Sequence, residues 1–277
     1  MGSGSTSRNG PSPTVLFDLD DTLVVEAASV EAAFLATCRL AAARFGLDPV
    51  VLAQSVRRYA GDLWRAGPHL AYCRAVGISS WEGLWAGFAS DDSPLPALRA
   101  WAPGYRATAW GRALDQCGVR HDSLANELAT TFQRERRARH VLFPDVLGTL
   151  DALRDRRCLL AVVTNGVVDL QLEKLAGAGL TERFDVVVVS AEVGTGKPDA
   201  AVFKAALSRL GVSPREAIMV GDSLARDVWG AQRAGITGIW LNRAGEVQSP
   251  DIVADREIAT LADLPAIVGS ADRWARR

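Results

Sequence analysis

Cysteine is scarce in this sequence, and the four residues that occur form no motif. Cys38, Cys73, Cys117 and Cys158 lie 35, 44 and 41 residues apart, so the chain contains no C-x-x-C pair. That spacing indicates neither a zinc ribbon nor a disulfide framework, and it favours a reducing compartment. We therefore expect a cytoplasmic location.

Excess charge and long apolar runs are lacking too. The formal net charge is −1, so no global basic field would attract nucleic acid or an anionic membrane. Purely apolar runs reach about the length of CLLAVV (158–163), well below the roughly 18 residues that span a bilayer. The sequence thus predicts neither a nucleic-acid partner nor a membrane partner.

The first 13 residues, MGSGSTSRNGPSP, lack the apolar stretch of a signal peptide. We expect them to be a disordered tail or a cloning remnant. In the whole chain, 48% of the residues are hydrophobic and 23% are charged, which is typical of a packed globular protein. A length of 277 residues allows one large domain or a domain that carries an inserted one.

From Pro144 onward, the sequence alternates short β-rich runs with helical stretches, and one further strand stands at the front. The predicted strands are 15–17, 158–164, 184–189, 217–221, 237–241 and 251–254. The predicted helices are 145–156, 168–177, 199–210, 223–234 and 260–268. Continuous apolar strands separated by helices are typical of a parallel sheet covered on both faces, so the pattern predicts an α/β fold.

Residues 26–140 have a different character. Segments such as SVEAAFLATCRLAAARF carry helical spacing, and nothing in this range predicts a strand. A helical block that interrupts an α/β pattern after its first strand is best interpreted as an inserted domain. The core would then comprise residues 14–25 and 141–277.

Polar residues gather at the ends of four predicted strands, which is where open parallel sheets bind ligands. The stretch VLFDLDDTL (15–23) places three aspartates at the first of these ends, and such crowding costs free energy unless something compensates it. The residues at the four ends are Asp18, Asp20, Asp21, Thr22, Thr164, Asn165, Gly166, Lys197, Asp222, Ser223 and Asp227. Their carboxylates, hydroxyls, amides and lysine predict a site for a metal ion and an anion.

In their order along the chain, these motifs resemble the haloacid dehalogenase superfamily of phosphohydrolases. The matching patterns are D-x-D-x-T at 18–22, T-N-G at 164–166, a lone lysine before P-D at 197–199 and G-D-S-x-x-x-D at 221–227. The resemblance covers residues 15–24 and 141–270. It implies a Rossmann-like core with helices on both faces and, as in one subgroup of the family, an all-helical cap inserted after the first core strand.

The resemblance also implies a role for each residue. Asp18 would be the nucleophile that forms an aspartyl-phosphate, and Asp20 would protonate the leaving oxygen and later deprotonate water. Mg²⁺, which prefers oxygen ligands, would be bound by Asp18, the backbone carbonyl of Asp20 and Asp222. The phosphate would be held by Thr164, Asn165, Gly166 and Lys197, and the supporting residues would be Thr22, Ser223 and Asp227. In this interpretation, Mg²⁺ and Lys197 neutralise the aspartates.

Two other phosphate or metal motifs are excluded by single residues. A calcium-binding hand needs glycine and glutamate where Leu23 and Ser29 stand. A P-loop needs glycine and Ser/Thr where Ala191 and Pro198 stand. Lys197 is one of only three lysines beside 28 arginines, which weakens its interpretation as a surface residue.

The insert offers further candidates. The run RERRARH (134–140) is predicted to be a solvated helix end. The three histidines show no ligand spacing and are interpreted as surface or packing residues: His69, His121 and His140. Five tryptophans would pack the core of the insert, or one or two of them would line the substrate pocket: Trp64, Trp81, Trp85, Trp101 and Trp110.

The sequence therefore favours a Mg²⁺-dependent phosphomonoester hydrolase acting on a small phosphorylated metabolite such as a sugar phosphate or nucleotide. The alternatives are a phosphomutase, a haloacid dehalogenase of the same fold, and a non-catalytic binding protein. Asp20 argues against a dehalogenase, because a halide leaving group needs no acid. We expect the insert to close over the site by flexing near residues 24–27 and 140–144. A monomer and a homodimer are both compatible with the sequence.

Overall fold

The computed structural model describes residues 13–248 and 250–269, and its centre is a six-stranded parallel sheet. The strand order is β3-β2-β1-β4-β5-β6. The strands are β1 (Thr14–Phe17), β2 (Leu159–Thr164), β3 (Val186–Val189), β4 (Ala217–Gly221), β5 (Thr237–Leu241) and β6 (Arg256–Ile258). The first strand of the chain is therefore a central one, paired in parallel with β2 and β4.

The segment between β1 and β2 begins with six helices. They are α1 (Glu26–Phe45), α2 (Pro49–Arg65), α3 (Leu70–Val76), α4 (Ser80–Gly83), α5 (Leu95–Gln116) and α6 (Asp122–Arg137). They pack around a cluster in which the rings of Phe34 and Phe132 lie 4.4 Å apart and Trp110 is fully buried.

The remaining helices cover both faces of the sheet. They are α7 (Val146–Asp155), α8 (Val168–Gly177), α9 (Ser190–Val193), α10 (Ala200–Leu210), α11 (Gly230–Arg233) and α12 (Leu264–Gly269), with a π-helix at Leu224–Trp229. Alternate residues of β1 enter opposite apolar clusters, Val15 and Phe17 on one face and Leu16 on the other. This burial on both faces explains why the strand is a continuous apolar run.

The helical segment rests directly on the sheet domain. Val167, which precedes α8, and Leu170 within α8 join the apolar cluster of the helical segment. The chain enters and leaves that segment at adjacent points. Val24 and Leu142 form an isolated antiparallel bridge, and the amide of Val25 donates to the carbonyl of Val141 at 2.8 Å. The two crossings expected near residues 24–27 and 140–144 thus lie side by side.

The α/β fold prediction is confirmed, with differences at two elements. The last strand is Arg256–Ile258 and not 251–254, because Ile258 reaches the core while Val253 is 66% exposed. The single helix predicted over 223–234 is a π-helix followed by α11.

Residue 13, the last of the predicted tail, is among the described residues, and the Pro13 carbonyl accepts a hydrogen bond from the Leu159 amide at 2.9 Å. The rest of that predicted tail, residues 1–12, lies outside the described residues, as do 249 and 270–277. Within the described ranges, no helix combines the length and the hydropathy needed to cross a membrane.

Candidate active site

Asp18 is the first residue after the central strand, and its carboxylate is buried beside a lysine. The Asp18 amide continues the strand pairing by donating to the Val220 carbonyl at 3.0 Å, which fixes the backbone at this position. The Lys197 ammonium lies 2.5 Å from Oδ1 of Asp18 and 2.7 Å from Oδ1 of Asp227. All three side chains are almost fully buried, so the ion pairs are shielded from solvent.

Asp18, Asp222 and Asp227 form a group that fits a metal ion. One carboxylate oxygen from each lies within 4.8 Å of the others, and Oδ1 of Asp222 is buried without a hydrogen-bond partner. Burial, followed by repulsion from Asp227, raises the pKa of Asp222 to about 6. Burial, opposed by Lys197 and reinforced by the neighbouring aspartates, also raises the pKa of Asp18. A hard divalent cation such as Mg²⁺ would relieve this repulsion and would be a partner for the unpaired Oδ1 of Asp222.

Hydrogen bonds from neighbouring elements orient the residues of this group. The Asp222 amide donates to the Thr22 hydroxyl at 3.1 Å, and the indole of Trp240 donates to the Asp222 carbonyl at 2.8 Å. The Ser223 amide donates to Asp227 at 3.0 Å. Trp240 carried no sequence signal, because it occupies an ordinary strand position.

Gly221 leaves room for this arrangement. A Cβ at that position would lie 2.3 Å from the carboxyl carbon of Asp227. Any larger residue at the end of β4 would therefore push the Asp227 carboxylate away from Lys197.

Asp20 has a partner that the sequence analysis missed. Both of its carboxylate oxygens accept from the Lys174 ammonium, at 2.9 and 2.8 Å. Lys174 is fully buried on α8 and also faces Glu26 and Glu82 of the helical segment. Lys174 therefore compensates part of the charge of the aspartate cluster, a contribution that the sequence interpretation assigned to Mg²⁺ and Lys197 alone.

Asp21 has a local structural role. Its backbone adopts the left-handed conformation (φ 57°), and its Oδ1 accepts from the amides of Glu26 and Ala27 at 2.9 and 3.0 Å. A carboxylate at a helix N-terminus accepts hydrogen bonds from amides that would otherwise be unpaired, and its negative charge interacts favourably with the helix dipole. The third aspartate of the cluster is thus used to start α1.

The T-N-G loop and the lysine loop are joined through Asn165. Its side chain accepts from the Lys197 amide at 2.7 Å and donates to the Lys197 carbonyl at 3.0 Å. Thr164 is buried and lines the same pocket as Asn165. These two hydrogen bonds join the carboxyl end of β2 to the loop that contains Lys197.

The Gly166 amide, predicted to hold phosphate, makes two hydrogen bonds within the protein. Its amide donates to the Val76 carbonyl at 3.1 Å and to the Ser190 hydroxyl at 2.9 Å. Because both contacts occupy the N–H group, the geometry does not support a phosphate-binding role for the Gly166 amide.

A pocket of about 140 Å³ opens above these groups. Asp18, Thr164 and Lys197 line it from the sheet domain, and Trp81 and Glu82 line it from the helical segment. A second cavity of about 580 Å³, with a more apolar wall, adjoins it and shares the side chain of Trp81. A ligand held at Asp18 would accordingly contact the helical segment.

Trp81 differs from the other tryptophans of the insert. It is 48% exposed and lines both cavities, whereas Trp64, Trp85 and Trp110 are buried in the apolar cluster. Trp101 is partly buried against the same cluster. Four of the five tryptophans thus pack the insert, and one lines the candidate pocket.

The run RERRARH contains a residue that is not solvated, contrary to the prediction. Arg136 is completely buried, forms an ion pair with Glu26 and lies 4.8 Å from the centre of the Trp85 ring. Burial and nearby cations lower the pKa of His140 to about 4, so this histidine is neutral near pH 7. His69 and His121 are exposed, as expected for surface residues.

Arg226 is another residue near the site that the sequence did not indicate. It lies in the π-helix, a form of helix often found at functional sites, and lines the 140 Å³ pocket. Burial opposes the charged guanidinium, but the surrounding aspartates outweigh this effect and raise its pKa: Asp18, Asp227, Asp222 and Asp20. Among the described residues, its guanidinium has neither a hydrogen bond nor an ion pair, so it is available to an anion.

Comparison with known proteins identifies the family of the chain. The family model for haloacid dehalogenase-like hydrolase matches residues 13–235. Phosphoserine phosphatase of Thermus thermophilus is 40% identical over 250 residues, which are 90% of this chain and 96% of that protein. Glyceraldehyde 3-phosphate phosphatase of Methanopyrus kandleri is 40% identical over 130 residues, which are 46% of this chain and 56% of that protein.

Among solved structures, the HAD-hydrolase YfnB of Bacillus subtilis bound to magnesium is similar along nearly the whole chain. Its TM-score is 0.64 at 25% identity, and the alignment covers 94% of this chain and 99% of that one. The family model and the near-full-length relative together show that the chain belongs to the haloacid dehalogenase-like hydrolases.

Proposed function

We propose that the protein is a phosphomonoester hydrolase that acts on a small phosphorylated metabolite through an aspartyl-phosphate at Asp18. The observation that carries this proposal is the buried Asp18 carboxylate, which lies beside Lys197 and beside the carboxylates of Asp222 and Asp227. Phosphoryl transfer requires mainly positioning and neutralisation of anionic oxygens. A nucleophile surrounded by a lysine and a candidate cation site meets both requirements.

In the first step, the Asp18 carboxylate attacks phosphorus and the bond to the leaving oxygen breaks. Asp20, when protonated, donates its proton to that oxygen. In the second step, Asp20 takes a proton from water, the water oxygen attacks phosphorus, and phosphate leaves as Asp18 is restored. The Thr164 hydroxyl, the backbone amide of Asn165 and the Lys197 ammonium would hold the phosphate oxygens in both steps.

Asp18, Asp222 and the Asp20 carbonyl would hold Mg²⁺, with Thr22, Ser223 and Asp227 orienting these groups. The ion, when bound, would neutralise the phosphate charge and raise the reactivity of phosphorus. The Lys197 ammonium lies between the carboxylates of Asp18 and Asp227, so its positive charge is next to the proposed nucleophile. Residues 26–140 would form the cap domain, and residues 14–25 and 141–277 the core.

We propose O-phosphoserine as the first substrate to test. One relative that aligns with 90% of this chain is a phosphoserine phosphatase. The pocket also offers the guanidinium of Arg226, which could bind the carboxylate of such a substrate.

The test is a Mg²⁺-dependent phosphate-release assay on O-phosphoserine, glyceraldehyde 3-phosphate, sugar phosphates and nucleotides. Turnover of at least one ester that chelator abolishes supports the proposal. Absence of turnover on all of them, or full activity in chelator, would overturn it.

A further inference from the structure

Lys174, which has no role in the proposed mechanism, is buried and surrounded by three carboxylates. Its side chain is completely buried on α8, and its ammonium lies 2.8 and 2.9 Å from the two oxygens of Asp20. Glu26 and Glu82 each place an oxygen 3.4 Å from the same nitrogen. Burial disfavours the charged ammonium, but these three carboxylates raise the pKa of Lys174 well above its usual value.

The ammonium is held in place by the helical segment. Glu82 is fixed at the start of α4, where its other oxygen accepts from the Ser79 amide at 2.9 Å and from the Ser79 hydroxyl at 2.7 Å. Glu26 is fixed by its ion pair with buried Arg136. Because each carboxylate has a second partner, two residues of the helical segment help to fix the position of the Lys174 nitrogen.

Asp20 is the group that this arrangement constrains. Its carboxylate is paired with Lys174 and also lines the pocket that contains Asp18. Nε2 of Gln171 approaches the same carboxylate at 3.4 Å. A carboxylate whose two oxygens face one fixed ammonium has little freedom to rotate away.

We propose that Lys174 is a positioning residue that holds the Asp20 carboxylate where it can exchange a proton with the leaving oxygen. The inference rests on the proposed function, since the orientation of Asp20 matters only if Asp20 acts as acid and base. A purely structural ion pair would affect all substrates alike. A positioning role would affect substrates in proportion to their need for an acid, because poor leaving groups require protonation and good ones do not.

The experiment compares kcat/KM for O-phosphoserine, an alkyl ester with a poor leaving group, and for 4-nitrophenyl phosphate, an aryl ester with a good one. We use kcat/KM because it reports the steps up to departure of the leaving group, whereas both esters share the later hydrolysis of the phosphoenzyme. For Lys174→Met we expect a loss of about 10²-fold or more for the alkyl ester, within the range of general acid catalysis, and less than about fivefold for the aryl ester. Lys204→Met, a change of the exposed lysine on α10, is the matched control and should leave both values unchanged.

A double variant tests whether Lys174 acts through Asp20. In an Asp20→Asn background, Lys174→Met should cause no further loss for the alkyl ester, because the group that it positions is already gone. If Lys174→Met does not fold, Lys174→Met/Glu82→Gln carries the same test, since it removes one charge of each sign and keeps the formal charge of the cluster. Folding of every variant is checked by circular dichroism and thermal unfolding.

The outcomes separate the two proposals. A selective loss for the alkyl ester that disappears in the Asp20→Asn background supports the positioning role. Equal losses for both esters, or losses that multiply with Asp20→Asn, would show that Lys174 is structural while leaving the hydrolase proposal intact. A wild-type protein that hydrolyses none of the esters in the panel would instead overturn the proposed function on which the inference rests.

Discussion

Asp18, Asp20 and Asp21 fall within four residues, yet each carboxylate has a different partner. Asp18 is paired with Lys197, Asp20 with Lys174, and Asp21 with the first amides of α1. Crowded carboxylates are tolerated when each is satisfied separately, because the cost of burying a charge is offset by its own partner. Asp222 remains undersatisfied, since its Oδ1 has no hydrogen bond.

The first prediction concerns Asp18. Asp18→Asn should lower kcat by at least about 10³-fold, since it removes the nucleophile of a group that acts as a unit. The fold should persist, because the change removes one charge from a repelling set. Phosphate release measures the first expectation and thermal unfolding the second. A variant that retains more than about a tenth of the wild-type kcat would show that Asp18 is not the nucleophile.

The second prediction concerns the pH dependence of Mg²⁺ binding. In the metal-free protein the pKa of Asp222 is raised to about 6. Above pH 6 this carboxylate is ionised and free to bind the cation, whereas below pH 6 the cation must displace a proton. Because the pKa of Asp18, the other carboxylate ligand, is raised as well, the apparent Kd for Mg²⁺ should weaken by at least about tenfold per pH unit below pH 6.

Isothermal titration calorimetry at constant ionic strength measures this dependence without any substrate. An equal Kd at pH 5 and pH 7.5 would contradict the assignment of Asp222 as a ligand. Ca²⁺ should bind but fail to support turnover, because it favours higher coordination numbers and a looser geometry.

At the scale of elements, the site depends on two loops that touch. Gly196 lies against the Asn165 side chain, and a Cβ there would come within 2.6 Å of its Oδ1. A glycine before the lysine suggests a looser loop when the sequence is considered alone. In the structure, it permits the close approach through which Asn165 fixes the backbone of Lys197.

The third prediction follows from this contact. Gly196→Ala should displace the Asn165 side chain, break its two hydrogen bonds with Lys197, and destabilise the protein by about 1–3 kcal/mol. It should also lower kcat, because Lys197 would lose its fixed position. Urea denaturation and phosphate release measure the two effects, and wild-type behaviour of Gly196→Ala would contradict the account.

Gly104→Ala is the matched control for this prediction. Gly104 lies in α5, and a methyl group added there would meet nothing within 4 Å. Because alanine is the better helix former, this change should stabilise the protein by about 0.5–1 kcal/mol and leave kcat unchanged.

The elements that the sequence predicted well are those with a continuous apolar run between turn residues. Strands 217–221 and 237–241 match β4 and β5 residue for residue, and the polar groups that follow the strands converge because parallel strands end at one edge. The contacts of Lys174 and Arg226 could not be predicted in this way. Both lie in helical segments where a basic residue is usually exposed. The partners of Lys174 come from elements distant in the sequence, and the residues that line the pocket with Arg226 come from several parts of the chain.

At the scale of the whole molecule, the helical segment and the sheet domain meet at the pocket. Val167 and Leu170 of the sheet domain enter the apolar cluster of the insert, and Trp81 and Glu82 of the insert line the pocket. The chain crosses between the two parts through two neighbouring stretches that are hydrogen bonded to each other. An insert attached at one edge is suited to closing over a substrate.

The fourth prediction tests whether the insert determines substrate specificity while the core performs the chemistry. Because the crossings are adjacent, a short glycine-serine linker can replace residues 26–140 without pulling the core apart. The truncated protein should show a much higher KM for the preferred metabolite and slow residual hydrolysis of 4-nitrophenyl phosphate, since Asp18, Lys197 and Asp222 remain.

The comparison requires folded monodisperse material, since truncation exposes Val167 and Leu170 to solvent. Size-exclusion chromatography and circular dichroism identify that fraction. A soluble core that discriminates among phosphate esters as well as the full chain does would show that the insert is not the specificity element.

The most direct test of the central claim is a rapid-quench measurement of the phosphorylated protein with a ³²P-labelled aryl ester. Wild-type protein should carry hydroxylamine-labile label during the first turnover, as expected for an acyl phosphate. Asp20→Asn should accumulate more of this label, because water attack on the aspartyl-phosphate lacks its base, and Asp18→Asn should carry none. Product formation in the first turnover without labelled protein, or equal labelling of Asp18→Asn, would contradict an aspartyl-phosphate at Asp18.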